Sequence, residues 1–140
     1  MGYTFKNVKE ILTDIRKIQT EIKKLRFELN EILSTGDLSA ITYEEKIKGY
    51  SEHKGVERSI IKIEEIQEEI ERQIKDKEIL LKRFDISLGV LNEIEKKVIV
   101  MGYYDGKSDT AISYAINRNN QSVCLIRRRA INKMVEILNL

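Results

Sequence analysis

The chain has 140 residues, of which 34% are charged and 6% aromatic, and it contains no proline or tryptophan. This length allows one or two small domains, and the abundance of Ile, Leu, Lys and Glu is typical of long helices. A single cysteine excludes an internal disulfide, and the absence of an apolar run of 18 residues or a signal peptide predicts a cytoplasmic protein without a membrane partner. The net charge of +2 is small, but five Lys and Arg follow Thr110 against one acid, Glu136. Basic charge concentrated at one end is typical of a domain that contacts DNA.

The first predicted element is a long helix over residues 5–33. Its apolar residues follow a seven-residue repeat with alternating spacings of three and four. One seam position holds Val8, Ile15, Ile22 and Leu29, and the other holds Ile11, Ile18, Leu25 and Ile32. Such a repeat is typical of a coiled-coil helix, which needs a partner to bury its apolar stripe.

A second long helix is predicted over residues 56–84, after a polar connector at 34–55 that contains the lone His53. Gln67 and Lys77 interrupt its heptad seam, which consists of Ile60, Ile63, Ile70, Ile74, Leu81 and Phe84. Residues 1–85 therefore form, by this interpretation, an antiparallel two-helix hairpin. A homodimer in which two chains exchange the same surfaces is an equal alternative.

Residues 86–140 are predicted to form a three-helix domain that contains a helix-turn-helix. Its first helix, Val90–Met101, would be capped by Ser87 or Asn92. The inner face of that helix would carry Leu91, Ile94, Val98 and Met101. We therefore expect an all-α protein in which a long hairpin or coiled coil precedes this domain.

The helix-turn-helix itself is predicted from its capping residues. Ser108 can cap a helix over residues 109–116, whose apolar face holds Ala111, Ile112, Ala115 and Ile116. Residues 117–119 can turn without glycine, because Asn tolerates left-handed backbone. Asn119 can then cap a last helix, whose inward side carries Val123, Ile126, Ala130, Met134 and Ile137.

The opposite side of the last helix carries Gln121, Leu125, Arg128 and Asn132. A short helix that begins with amides and continues into three arginines suits a reader of the major groove, because amides and guanidinium groups bond base edges bidentately. A solvated face on an ordinary core helix is the alternative.

The last 50 residues or so resemble region 4 of sigma-70-type factors, in which a helix and a Tyr-x-(Asp/Glu)-Gly turn precede two DNA-reading helices. The residues on this pattern are Leu91, Glu95, Val98, Ile99, Tyr103, Tyr104, Asp105, Gly106, Ser108, Ile112, Val123, Ile126, Ala130 and Ile131. The chain departs from it at Ser113, where the family usually has Ala. It also departs at Asn120, Gln121, Cys124 and Leu125, where sigma factors carry a charged set, and this argues against an ordinary −35 element as the target.

The order of the parts also resembles the ArpU/RinA group of phage late-gene transcriptional regulators. That resemblance covers nearly the whole chain, but outside the C-terminal motif it rests on layout. It implies phage promoter DNA and host RNA polymerase as partners, inside a bacterial host cell.

The leading hypothesis is therefore a transcription regulator that binds double-stranded DNA. Base contacts are predicted from Asn120, Gln121 and Arg128, with Cys124 and Leu125 as apolar contacts. The remaining predicted contacts, mainly to phosphates, are Lys107, Ser108, Asn119, Ser122, Arg127 and Arg129. No nucleophile elbow, phosphate-binding glycine loop, Cys/His cluster or HExxH motif occurs, so we expect no catalytic activity, metal or cofactor. A small terminase-like packaging protein and a polymerase-binding adaptor are the alternatives.

Overall fold

The computed structural model describes residues 2–35 and 56–140, and these residues form helices without a strand. The all-α class is thereby confirmed. The helices are α1 (Phe5–Thr13), α2 (Ile15–Thr35), α3 (Val56–Leu88), α4 (Glu93–Ile99), α5 (Asp109–Ile116) and α6 (Asn120–Leu138), and a π-helical turn, Val100–Tyr104, follows α4. From residue 36 onward the predicted connector, with His53, lies outside the described residues. None of the described helices is long and apolar enough to cross a membrane.

The chain divides into two compact units. One, the terminal unit, consists of Met1–Gln19 and Ile79–Leu140, and the other, the middle unit, consists of Thr20–Glu78. This division differs from the predicted boundary after residue 85. The difference arises because α1 packs against α6 and contributes to the same hydrophobic core.

The core of the terminal unit joins residues from both ends of the sequence. Its fully or almost fully buried members are Val8, Leu12, Ile15, Phe84, Leu88, Leu91, Ile99, Ala130, Ile131 and Met134. At its edge the Asn139 Nδ2 donates to the Tyr3 carbonyl at 2.8 Å, and the Tyr3 amide donates back to Asn139 Oδ1. The Tyr3 ring meets Phe84 edge to face at 6.3 Å between centroids. The N-terminal helix is thus part of this unit and is not only the start of a coiled coil.

The middle unit buries residues from both predicted heptad seams, namely Ile22, Ile32, Ile70 and Ile74. Ion pairs join its two helices: Arg26 binds Glu78, and Lys77 Nζ lies 3.8 Å from Glu21 Oε2. Lys77, which interrupts the apolar seam, therefore has an acidic partner on the other helix. The antiparallel hairpin and the exchanged dimer both stay predictions.

The first long helix is interrupted at Asp14, where the sequence predicts continuity. The Asp14 amide donates to the carbonyls of Glu10 and Ile11, both at 3.1 Å, while its own carbonyl accepts from the Ile18 amide at 2.9 Å. The chain therefore leaves helical geometry at one residue only. The interruption accompanies a change of buried face, because Leu12, outside the predicted seam, is fully buried whereas Ile11 is only partly so.

Two other predicted boundaries differ from the structure. Helix α3 ends at Leu88 and not at Phe84, because Ser87 and Leu88 are buried and the Ser87 hydroxyl donates to the Phe84 carbonyl at 2.7 Å. Helix α4 begins at Glu93 and not at Val90, since the chain turns through Gly89 and the cap is Asn92.

Replacing Leu12 by Ala tests whether α1 is part of the terminal unit. A cavity in this core should lower the free energy of unfolding by about 2–5 kcal/mol, measured by urea denaturation. Leu33→Ala is the matched control, because Leu33 is 57% exposed and its truncation leaves no cavity. A loss below about 1 kcal/mol for Leu12→Ala would contradict the shared core.

Candidate nucleic-acid interface

Local capping interactions define both helices of the predicted helix-turn-helix. Ser108 Oγ accepts from the Ala111 amide at 3.2 Å, and Asn119 Oδ1 accepts from the Ser122 amide at 2.8 Å. Between the helices Asn117 adopts left-handed backbone, with φ 57° and ψ 48°. The predicted bounds of α5, both caps and the glycine-free turn are therefore confirmed.

The approach to α5 depends on the π-helical turn after α4. The Asp105 amide donates to the Val100 carbonyl at 2.9 Å, and the Lys107 amide donates to the Met101 carbonyl at 2.8 Å. Gly106 between them has φ +69°, a conformation that favours glycine. A side chain at Gly106 would also collide with the Arg16 guanidinium group, so α2 borders this turn.

A small core beneath the surface holds α4, α5 and α6 together. Val98, Ile112, Val123 and Ile126 are its buried members, and Met101 and Ile116 pack against it. Two predictions of inward residues were wrong. Ala115 is exposed, and Ile94 is 37% exposed because Glu95 and Ile99 occupy the buried side of the short helix α4.

The outer side of α6 faces solvent along its first three turns. Its exposed residues are Asn120, Gln121, Cys124, Leu125, Arg128 and Arg129. Leu125 is 58% exposed, so an apolar side chain is available on this face. Lys107, Ser108 and Asn119 are also exposed, and Ser122 is half-buried. The predicted reading face is thus accessible, while the opposite face of the helix is buried.

Arg127 differs from its two neighbouring arginines. Its side chain is only 19% exposed, and its guanidinium group binds the carboxylate of Asp109 at the start of α5. The phosphate contact predicted for Arg127 stays a prediction, and this intramolecular partner competes with it. Sequence reasoning missed the pair because the two residues lie 18 positions apart on different helices.

Two tyrosines of the π-helical turn lie in this region. Burial raises the pKa of Tyr103, while the charge of Arg127 opposes that rise and the charge of Asp109 adds to it. Burial, with the negative charge of Asp85, raises the pKa of Tyr104 to about 12. The Tyr104 hydroxyl is buried and has no hydrogen-bond partner among the described residues, so this ring acts as an apolar packing group.

Glu95 is a buried carboxylate that ties α4 to α6. It is 2% exposed, and its Oε1 accepts from Lys133 Nζ at 2.8 Å and from the Asn92 amide at 3.1 Å. Burial raises the pKa of Glu95, but the bonds from Lys133 and Asn92 and the charges of Lys133 and Arg129 outweigh it, and the pKa lies below 4.5. The Asn92-x-x-Glu95 spacing is a capping-box signal that the sequence contained.

The described residues contain no group of three or more His, Cys, Asp or Glu side chains arranged to hold a metal ion. Cys124, the single cysteine, is exposed on the outer side of α6. The amides, arginines and apolar side chains of this surface can supply hydrogen bonds, ion pairs and apolar contacts.

Replacing Glu95 by Gln should destabilise the protein at pH 7 by about 1–3 kcal/mol, because Lys133 loses its charged partner. The pKa of Glu95 is lowered in the folded state, so its stabilisation is present above pH 4.5 and is lost as the pH falls through the folded-state pKa. Urea denaturation between pH 7 and pH 3 should therefore show the difference from wild type shrinking toward zero. Glu93→Gln, an exposed acid on the same helix, is the control. A difference that stays constant with pH would contradict this role.

No family model, curated protein or solved structure matches this chain.

Proposed function

We propose that this protein is a transcription regulator that binds double-stranded DNA by inserting the start of α6 into the major groove. The main support for the proposal is that α6 has one buried apolar side and one exposed polar side. Val123, Ile126 and Ala130 anchor one side in the core, and the other side presents amides and arginines to solvent. A helix held this way is what groove reading requires, because side chains near its beginning reach the base edges.

The roles within this surface follow from side-chain chemistry. Asn120 and Gln121 present amides that can bond adenine at N6 and N7, and Arg128 presents a fork that fits O6 and N7 of guanine. Cys124 and Leu125 lie between them and supply apolar contact with thymine methyl groups. All five are exposed, and they lie within the first nine positions of α6.

Phosphate contacts come from the borders of this face. Lys107 and Ser108 lie immediately before α5, and Arg129 follows Arg128 on α6; all are exposed. Asn119, which caps α6, and Ser122, in its first turn, can add further hydrogen bonds to phosphates. Such contacts set the orientation of a protein on the duplex without reading the sequence.

The biological setting is proposed from the two resemblances. Sigma region 4 suggests host RNA polymerase as a second partner, and the ArpU/RinA group suggests late promoters of a phage or prophage in a bacterial cytoplasm. A homodimer through the heptad seams of α2 and α3 is the alternative to a hairpin within one chain, in which Ile22, Ile32, Ile70 and Ile74 are already buried. Light scattering would distinguish this proposal from a packaging protein, since a monomer or dimer supports regulation and a ring of eight or more subunits contradicts it.

The affinity of the full chain for duplex DNA should fall steeply with salt. Fluorescence anisotropy with random and phage late-promoter duplexes should show a loss of about tenfold or more between 50 and 200 mM salt, as expected when two or more phosphates are neutralised. Arg129→Ala should reduce the slope of log K against log salt by about 0.9. Arg72→Ala is the control, because that exposed arginine lies in the middle unit and pairs with Glu69. Absence of binding at 50 mM salt would contradict the proposal.

Replacing Arg128 by Ala should weaken binding by about 1–3 kcal/mol, and only when the target carries guanine at one position. The measurement is a set of duplexes with every base pair of the target substituted in turn, assayed with wild type and Arg128→Ala. Equal weakening on all duplexes would show that Arg128 contacts a phosphate and does not read a base.

A further inference from the structure

We infer that Asp109 is a positioning residue that holds Arg127 inside the helix-turn-helix and thereby limits binding to DNA of arbitrary sequence. This inference rests on the proposed function, because it concerns how the same surface meets DNA. It concerns a residue that belongs to neither the predicted base contacts nor the predicted phosphate contacts.

The geometry places Arg127 at a junction of three elements. Its guanidinium group binds Asp109, the first residue of α5. Its Nη2 also lies about 4.0 Å from where a side chain on Gly102 would begin, so the group lies close to the backbone of the π-helical turn. The charge of Arg127 acts on Tyr103 of the same turn. One side chain of α6 therefore binds α5 and lies beside the π-helical turn that precedes α5.

The three successive arginines are consequently not equivalent. Arg128 and Arg129 are exposed, whereas Arg127 is 19% exposed and paired. A cation that neutralises a phosphate releases counterions from DNA. A cation already matched by a carboxylate must first exchange that partner, so its contribution is small.

The carboxylate partner of Arg127 can be removed without disturbing a core. The Asp109 side chain is 49% exposed, so its replacement by Ala opens no buried cavity and leaves Arg127 without its carboxylate. Without Asp109, Arg127 would extend from the edge of α6 toward the same backbone that Arg129 contacts. Binding to random DNA depends almost wholly on such phosphate contacts, so it would gain most.

An acid at this position has a second function that must be separated from the first. A carboxylate in the first turn of α5 interacts favourably with the helix dipole whether or not Arg127 is present. Helix stability reports on the dipole, whereas the salt dependence of DNA binding reports on the number of cations that reach phosphate. The test therefore uses the salt dependence.

The experiment compares the full-length wild type with Asp109→Ala, Arg127→Ala and the double variant on a random duplex from 50 to 200 mM salt. Asp109→Ala should steepen the slope of log K against log salt by about 0.9, which corresponds to an additional change of about 3.5-fold across that range. By this inference Arg127 contacts no phosphate while Asp109 is present, contrary to the contact predicted from the sequence, so Arg127→Ala alone should have the slope of wild type. The double variant should have the slope of Arg127→Ala. This comparison shows that the steeper slope of Asp109→Ala comes from Arg127 and not from the loss of the Asp109 charge.

Asp105→Ala is the matched control, since it removes an exposed acid four residues away, and it should not steepen the slope. An unchanged slope in Asp109→Ala would overturn the inference. A slope reduced by about 0.9 in Arg127→Ala would also overturn it, because Arg127 would then contact a phosphate while Asp109 is still present. Both outcomes leave the proposed function intact, because wild type still binds DNA. If wild type does not bind at 50 mM salt, the proposed function fails and the inference fails with it.

Discussion

The structure depends on one hydrophobic contact between the two ends of the sequence. Leu12 and Ile15 are buried in the same core as Ile131 and Met134, more than 110 positions later. This contact immobilises the second half of α6, since its inward residues are enclosed by α1 and by the end of α3. The first half, which carries the proposed base contacts, is held in turn by the small core through Val123 and Ile126.

Anchoring one half of a helix determines the direction of the other half. Between Ala130 in the large core and Val123 in the small one, α6 has little freedom to rotate about its axis, because rotation would expose buried apolar groups. The bond between Glu95 and Lys133 adds a polar restraint on the same helix. Gln121 and Arg128 therefore lie outward as a consequence of packing, and in the proposed complex this prearrangement would lower the cost of ordering them on DNA.

Local signals predicted the bounds of α5, the caps of α5 and α6, and the turn between them well. Caps such as Ser108 and Asn119, and the left-handed Asn117, involve hydrogen bonds within about four residues, so their chemistry is visible in the sequence. The heptad pattern of residues 5–33 was less informative. Apolar periodicity identifies a helix and its buried stripe but not the partner of that stripe, and the first two turns pack on α6. The same limit applies to Glu95, whose spacing revealed the cap but not its long-range bond to Lys133.

The arginines show why a charged surface cannot be assigned from composition alone. The sequence counts three equal positive charges at 127–129, but their partners depend on where each residue falls around the helix. At 100° per residue, consecutive side chains point in different directions, so one of the three meets α5 while the next two face solvent. The positive charge that the segment presents to solvent is therefore smaller than its formal charge. An acid in the adjacent helix accounts for the difference, and this links the packing of α5 on α6 directly to the strength of the proposed DNA contact.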